Sequence, residues 1–139
     1  MQIRATWTAP MRFDATSETG RTATMDTLAD HGGSGTGPSP MEMVLMAMAG
    51  CTGMDVASIL VKMRAPVRAL AIAVDAERDT EHPKVFTKIH VRYDAAGPGL
   101  QREQVEKAVA LSMDKYCSVT AMLKHGAEVT YDVHVSSGR

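Results

Sequence analysis

Two cysteines carry the most distinctive chemistry available to this chain. Cys51 lies inside the apolar stretch "GPSPMEMVLMAMAGCTGMDVASIL", and Cys117 stands directly before "SVTAMLKHG". A cysteine thiolate can act as a nucleophile or as a metal ligand, whereas a buried thiol in apolar surroundings is usually inert. A lone cysteine inside an apolar helix is most often a small hydrophobic residue, so this interpretation of Cys51 stays open beside the reactive one.

Cys117 has a more suggestive setting, because it lies beside the predicted start of a short helix. Free backbone N–H groups and the positive end of the helix dipole would favour its thiolate. The chain has no Cys-x-x-Cys motif, which excludes a thioredoxin-type site. Two widely separated cysteines do not form a disulfide framework, and "MQIRATWTAP" lacks the apolar run of a secretory signal. We therefore expect the reducing environment of the cytoplasm.

The histidines give little indication of a metal site. They are scattered without the close spacing that ligands usually show, and two of them fall on outward faces of predicted strands. We expect neither a metal nor a cofactor. The histidines are His31, His82, His90, His125 and His134.

Composition limits the classes of function. The chain has 139 residues, 45% of them hydrophobic and 22% charged, which is typical of one soluble domain over residues 1–139. A formal net charge of -1 argues against nucleic acid or an anionic membrane as a partner. The apolar segment 43–61 is long enough to raise the question of a membrane span, but Asp55 lies inside it. We interpret this segment as a buried helix.

The elements that must position the cysteines can be predicted from periodicity. Alternating residues in the first thirty positions predict an antiparallel meander, and "DHGGSGTGPSP" predicts a loop. Ser39, Pro40 and Glu42 form a capping box with proline at the first helical position, so a helix should begin there and run to about Arg64. Its nearly all-round apolar character implies that other elements cover it on most sides.

The second half of the chain predicts two strands, two helices and a last strand. The strands cover about 70–76 and 85–93, and a helix follows from about Gln101 to Tyr116. Its expected inward stripe is Val105, Ala108, Val109, Ser112 and Tyr116. A short helix should start at Ser118 as N-cap and close at Gly126, before a strand over 129–135. The fold class is therefore α+β.

Three segments carry a family resemblance. "GPSPMEMVLMAMAGCTGMDVASILVKMR", "EHPKVFTKIHVRY" and "LSMDKYCSVTAML" resemble the osmotically inducible protein C (OsmC) family, which includes the organic hydroperoxide resistance (Ohr) proteins, and are closest to a less characterised OsmC-like branch. The resemblance implies antiparallel sheets around a long buried helix in an intertwined homodimer. It also implies a thiol peroxidase that reduces organic hydroperoxides and is regenerated by an external dithiol. Cys51 resembles the attacking thiol, and Cys117 resembles the resolving thiol.

The resemblance also implies a cation beside the attacking thiol. In the family an arginine from the N-terminal strands is held by a glutamate at the start of the first helix. Arg12 in "APMRF" is the best match, Arg21 is second, and Glu42 is the candidate glutamate. Glu42 stands one position away from the family pattern, and Asp55 lies on the face of Cys51, where a carboxylate would oppose the thiolate. These departures leave an alternative open: a non-enzymatic OsmC-like dimer that binds an apolar small molecule or senses oxidants.

Overall fold

The N-terminal part of the chain forms a small antiparallel sheet. The computed structural model describes residues 1–138, which divide into two compact units, Met1–Met46 and the described residues from Ala47 onward. In the first unit, β1 (Ile3–Thr8), β2 (Arg12–Ser17) and β3 (Thr22–Met25) pair in the order β1-β2-β3. The predicted meander is confirmed.

The loop that follows β3 is organised around one buried carboxylate. Asp26 accepts hydrogen bonds from the backbone N–H groups of Thr27, Ser34 and Thr36 and from the Thr36 hydroxyl. These bonds, those from Thr36 above all, lower the pKa of Asp26 to about 2. The glycine-rich loop therefore has a defined conformation in spite of its composition.

Helix α1 (Pro40–Lys62) starts where the capping box predicts. The Ser39 N–H donates to Glu42 Oε2 at 2.7 Å, and the Glu42 N–H donates to Ser39 Oγ at 3.3 Å. The helix ends two residues before the predicted end, close to Arg64, whose φ of 54° lies in the left-handed region.

The burial of α1 differs from the prediction. Only one stripe at i, i+4 spacing is buried among the described residues, while Met54 and Val61 are 76% and 68% exposed. By length and composition alone α1 could also span a membrane, a test that core helices of soluble proteins pass as well. The described residues of this chain cover one face of α1, so the cover that its apolar character predicts on most sides is not supplied by one chain alone. The buried stripe is Met48, Thr52, Val56 and Leu60.

The second unit contains a three-stranded sheet in the order β4-β5-β6. Strands β4 (Ala69–Arg78) and β5 (Phe86–Ala96) are antiparallel, whereas β5 and β6 (Glu128–Ser136) are parallel. The expectation of wholly antiparallel sheets is therefore wrong for this one. The reason is that helices connect β5 to β6, and a helical crossover allows the chain to re-enter the sheet in the same direction.

Two helices and an irregular turn form that crossover. Helix α2 (Arg102–Leu111) continues into a π-helical turn, Ser112–Tyr116, and α3 (Ser118–Leu123) follows. The predicted stripe of α2 is buried as far as Ser112, but Tyr116 is 51% exposed. A π turn has wider hydrogen-bond spacing than an α-helix, so the helical phase slips and Tyr116 turns outward. The N-cap of α3 is Cys117, not the predicted Ser118.

Candidate active site

Two thiols and a carboxylate converge in the second unit. The Sγ atoms of Cys51 and Cys117 and a carboxylate oxygen of Asp55 all lie within 4.8 Å of one another. Cys51 and Asp55 are half-buried, and Cys117 is buried with 3% of its surface exposed. The structure therefore brings together the two predicted cysteines, as well as the carboxylate expected on the face of Cys51.

Regular α-helix geometry positions Cys51 and Asp55, and irregular helix geometry positions Cys117. Residues four apart on α1 lie on one face, one turn from each other. The π turn ends where the Cys117 N–H donates to the Ser112 carbonyl oxygen at 2.8 Å, a bond between residues five apart. Single π turns inside helices often occur at functional sites. Sequence reasoning missed this turn, because no pattern of residue types specifies it.

Cys117 is held by the first turn of α3. Its Sγ accepts hydrogen bonds from the Thr120 hydroxyl at 3.1 Å and from the Thr120 backbone N–H at 3.4 Å. Burial raises the pKa of the Cys117 thiol, the neighbouring Cys51 raises it further, and the two bonds from Thr120 lower it. Burial is the largest of these effects, so the thiol form is favoured overall. The helix N-terminus thus moderates the pKa of Cys117 without reversing the effect of burial.

A chain of buried hydroxyl groups leads to Asp55. The Tyr93 hydroxyl lies 2.6 Å from Thr52 Oγ1, which lies 2.8 Å from Ser112 Oγ, and Ser112 donates to Asp55 Oδ2 at 2.9 Å. Since Ser112 gives its only proton to the carboxylate, Thr52 must donate to Ser112 and Tyr93 to Thr52. Burial raises the pKa of Tyr93 to about 12, so this hydroxyl remains a donor at neutral pH. This chain of hydroxyl groups fixes the Asp55 carboxylate beside the sulfurs of Cys51 and Cys117.

The predicted cation, Arg12, lies in the first unit on strand β2. Its guanidinium pairs with Asp14, with Nη2 and Oδ1 3.0 Å apart, and the Thr24 hydroxyl donates to the same carboxylate oxygen at 2.6 Å. The bonds from Arg12 lower the pKa of Asp14. Arg12 therefore has a carboxylate partner within its own strand, and its predicted role at Cys51 stays a prediction.

Glu42 and Arg21 also belong to the first unit. The Glu42 carboxylate closes the capping box with Ser39, and this bond lowers its pKa. Arg21 lies in the turn between β2 and β3, where its backbone N–H donates to Ser17 Oγ. Local structure accounts for the position of Glu42 at the helix start, and its catalytic role remains a prediction.

A second polar cluster lies on the outward face of β5 and β6. His90 Nε2 lies 2.7 Å from Asp132 Oδ1, and His134 Nε2 is paired with the other oxygen of the same carboxylate. Both histidines were predicted to face outward, but their convergence was not foreseen. It depends on the parallel register of β5 and β6, which aligns His90 with Thr130 and so brings Asp132 within its reach.

Comparison with known proteins places this fold in a family. The model of the OsmC-like protein family matches residues 32–132. The chain belongs to this family. It is 40% identical over 136 residues to Protein YhfA of Escherichia coli strain K12, a match that covers 97% of this chain and 98% of YhfA.

Solved structures agree with the family assignment. A hypothetical protein from Aquifex aeolicus VF5 superposes with a TM-score of 0.80 at 30% identity, over 96% of each chain. An organic hydroperoxide resistance protein OsmC from Legionella pneumophila has a TM-score of 0.69 at 15% identity, over 96% of this chain and 95% of its own. The α+β fold class is confirmed, and the chain has redox-related structural neighbours.

Proposed function

We propose that this OsmC-like protein is a thiol-dependent peroxidase that reduces organic hydroperoxides. The observation that carries the proposal is the convergence of Cys51 and Cys117, distant in sequence, with their sulfur atoms no more than 4.8 Å apart. A sulfenic acid formed on one cysteine condenses readily with a neighbouring thiol. The name of the Legionella relative, an organic hydroperoxide resistance protein, supports the choice of substrate class.

The reaction balances with the two thiols and an external reductant. The Cys51 thiolate attacks the O–O bond and takes one oxygen; the other leaves as the alcohol after accepting a proton, and Cys51 becomes a sulfenic acid. The Cys117 sulfur then displaces the hydroxyl, so that a disulfide and water form. An external dithiol returns both cysteines to thiols by thiol–disulfide exchange and is itself oxidised.

The environments of the two sulfurs support this order of events. Cys51 is half-buried on the flank of α1, whereas Cys117 is buried and has a raised pKa. A buried thiol that favours its protonated form is a poor first nucleophile, because the thiolate is the attacking species. It can still resolve a sulfenic acid that forms beside it. Cys51 is therefore the attacking residue and Cys117 the resolving residue.

Formation of the Cys51 thiolate needs positive charge nearby, because Asp55 opposes it. Arg12, oriented by a carboxylate, is the candidate that the family resemblance supplies, with Arg21 as the second choice and Glu42 as the family's carboxylate position. In this structure Asp14 is the carboxylate that holds the Arg12 guanidinium. Arg12 stays the proposed cation and Glu42 the proposed carboxylate, with Arg21 as the second choice for the cation.

A homodimer belongs to the same proposal. Met54 and Val61 expose most of their surface on α1, although both are apolar. Large exposed apolar patches usually mark interaction sites. A second copy of the chain would cover α1 as the family resemblance implies. Light scattering at micromolar concentration should give the dimer mass, and a folded monomer would contradict this part of the proposal.

The decisive experiment combines oxidation and turnover. The reduced protein receives less than one equivalent of cumene hydroperoxide, and intact mass with peptide mapping should show a disulfide between Cys51 and Cys117 of one chain. With excess dithiothreitol, peroxide consumption should continue over many cycles. Free thiols after treatment, or disulfides only between dimers, would overturn the assignment.

One observation favours a second candidate function. The Asp55 carboxylate, held beside both sulfurs by Ser112, disfavours a thiolate and would slow a peroxidase. The alternative is an OsmC-like dimer that senses oxidants, or binds an apolar molecule, without efficient catalysis. Disulfide formation after one equivalent of peroxide, without sustained consumption when dithiol is present, would identify an oxidant sensor.

A further inference from the structure

We infer that Cys51, Cys117 and Asp55 form a binding site for a thiol-seeking divalent cation of the Zn²⁺ class. Three potential ligand atoms, two sulfurs and one carboxylate oxygen, lie within 4.8 Å of one another. They come from two separate parts of the chain, the middle of α1 and the residue after the π turn, so the tertiary fold creates the cluster. This inference does not depend on the peroxide chemistry.

The dimensions of the cluster are close to those of a zinc site. In tetrahedral sites zinc lies about 2.3 Å from sulfur and about 2.0–2.2 Å from a carboxylate oxygen, so neighbouring ligand atoms are roughly 3.5–3.8 Å apart. Ligand atoms at most 4.8 Å apart would need to approach by at most about 1.3 Å to reach this geometry. Rotation of the half-buried Cys51 side chain, with a small adjustment of Asp55 that keeps its bond to Ser112, can supply that movement. Three protein ligands leave a fourth position for water or a small ligand.

The ligand set selects the kind of metal. Thiolates favour Zn²⁺ and other soft or borderline ions, whereas Mg²⁺ and Ca²⁺ require six or more oxygen ligands. Two sulfurs and one carboxylate therefore fit Zn²⁺ and do not fit the hard cations. Both thiols would release a proton to solvent as the sulfur–metal bonds form, and no oxidation state changes.

Groups around the cluster already orient the proposed ligands. Ser112 donates to Asp55 Oδ2 at 2.9 Å, and Thr120 donates to Cys117 Sγ at 3.1 Å. Hydrogen bonds of this kind, made to ligands by neighbouring side chains, tune metal affinity and are a regular feature of metal sites. The Ser112 bond belongs to the buried chain that starts at Tyr93, so the carboxylate is anchored before any ion binds.

The histidine cluster on the sheet is the alternative candidate site for binding the ion. In that cluster His90 and His134 bind opposite oxygens of the Asp132 carboxylate. The two imidazoles are thus directed at the carboxylate from its two sides and do not converge on one point. Among the described residues, the thiol cluster is the set whose three ligand atoms all lie within 4.8 Å of one another, and it is the site we assign.

A bound ion would change the redox behaviour of the two thiols. An ion bound to both sulfurs would hinder the disulfide between them, since each thiolate donates a lone pair to the metal and the metal lies between the two sulfurs. Bound Zn²⁺ should therefore protect the cysteines from oxidants. The cation would act as a reversible inhibitor of any redox reaction at this site.

Calorimetric titration of the reduced, metal-free protein with Zn²⁺, under anaerobic conditions and without competing thiols, tests the site. We expect one ion per chain. Cys51→Ser and Cys117→Ser should each weaken binding by roughly a hundredfold or more, and Asp55→Asn by roughly tenfold. Titration with Co²⁺ should give a sulfur-to-cobalt charge-transfer absorption that is reduced in each single cysteine variant and lost in the double variant.

The double variant His90→Ala/His134→Ala is the matched control, and it should bind Zn²⁺ as the unmodified protein does. Circular dichroism establishes that each variant is folded. Loss of binding in the histidine variant with retention in the cysteine variants would overturn the assignment, as would the absence of binding tighter than millimolar. Peroxide turnover is measured on metal-free protein, so failure of the metal site and failure of the proposed peroxidase are separate results.

Discussion

Cys51 and Cys117 occupy contrasting environments although their sulfurs are neighbours. Cys51 lies half-buried in the middle of a regular helix with a carboxylate one turn away. Cys117 is buried after an irregular turn, and it accepts two hydrogen bonds from Thr120. Cys51 is thus the more accessible of the two thiols, and Cys117 is the one that hydrogen bonds stabilise. This arrangement suits a pair in which one thiol reacts with the substrate and the other reacts with the oxidised product of that step.

Replacing each cysteine in turn gives the largest expected effect and tests this arrangement directly. Cys51→Ser should abolish peroxide consumption, with a loss of at least about a thousandfold, because the nucleophile is removed. Cys117→Ser should still react once with peroxide and should then accumulate a Cys51 sulfenic or sulfinic acid. Dimedone labelling with mass spectrometry distinguishes the two results. The reverse pattern would exchange the roles of the two residues.

Replacing Arg12 tests how the half-buried thiol of Cys51 is activated. If Arg12 supplies the cation for Cys51, Arg12→Ala should disfavour the Cys51 thiolate relative to the thiol, because the attractive charge is lost. The measurement is the rate of alkylation against pH in a Cys117→Ser background, where the profile should move to higher pH. Arg12→Lys should restore only part of the effect, because an ammonium lacks the planar fork of arginine.

Arg21→Ala is the control for that experiment, since Arg21 lies in the same small sheet region. It should leave the alkylation profile unchanged. An unchanged profile for Arg12→Ala would make Arg12 a surface residue, and a shift caused by Arg21→Ala would transfer the role to Arg21.

Thr120 tests the stabilisation of the buried thiol. A hydrogen bond to a charged group contributes roughly 1.5 kcal/mol or more, so Thr120→Val should slow resolution about tenfold. The hydroxyl lowers the pKa of Cys117, and its loss should raise this pKa and move the pH profile of disulfide formation to higher pH. Quenched mass spectrometry can follow the step. Ser118→Ala removes a neighbouring exposed hydroxyl and should have little effect; equal slowing in both variants would contradict the specific role of Thr120.

Much of the contrast between Cys51 and Cys117 could be predicted from the sequence. The features that could not be predicted have a physical cause in common. The start of α1 and the inward stripe of α2 as far as Ser112 follow from local patterns of capping and periodicity, and the structure confirms them. The proximity of Asp55 to Cys51 follows from helix geometry alone. Patterns within one element were sufficient for these features.

Features that depend on two elements could not be predicted in the same way. The π turn before Cys117 and the parallel register of β6 are set by how segments pack, and each changed which side chains meet. The hydroxyl chain through Thr52 and Ser112 left a faint signal, namely polar residues within stripes that are otherwise apolar. Such residues are more often satisfied core groups than site residues, and only the structure shows that this chain ends at Asp55.

Replacing Tyr93 gives the smallest expected effect, and it tests the chain of hydroxyl groups that fixes Asp55 beside both thiols. Tyr93→Phe removes the first donor of the hydroxyl chain, and Thr52 keeps its bond to Ser112, so the free energy of unfolding should fall by about 1 kcal/mol. Urea denaturation measures the loss, with Tyr131→Phe, at a tyrosine 40% exposed, as the milder control.

The folded protein holds the Tyr93 pKa at about 12 against an ordinary value of 10.0, so the unfolded chain ionises first as pH rises. The stabilising contribution is therefore complete below pH 10.0 and is lost towards about 12, and the difference between the unmodified protein and Tyr93→Phe should shrink across that interval. A difference that stays constant with pH would show that the Tyr93 hydroxyl ionises alike in the folded and the unfolded chain and would contradict the effect of its burial.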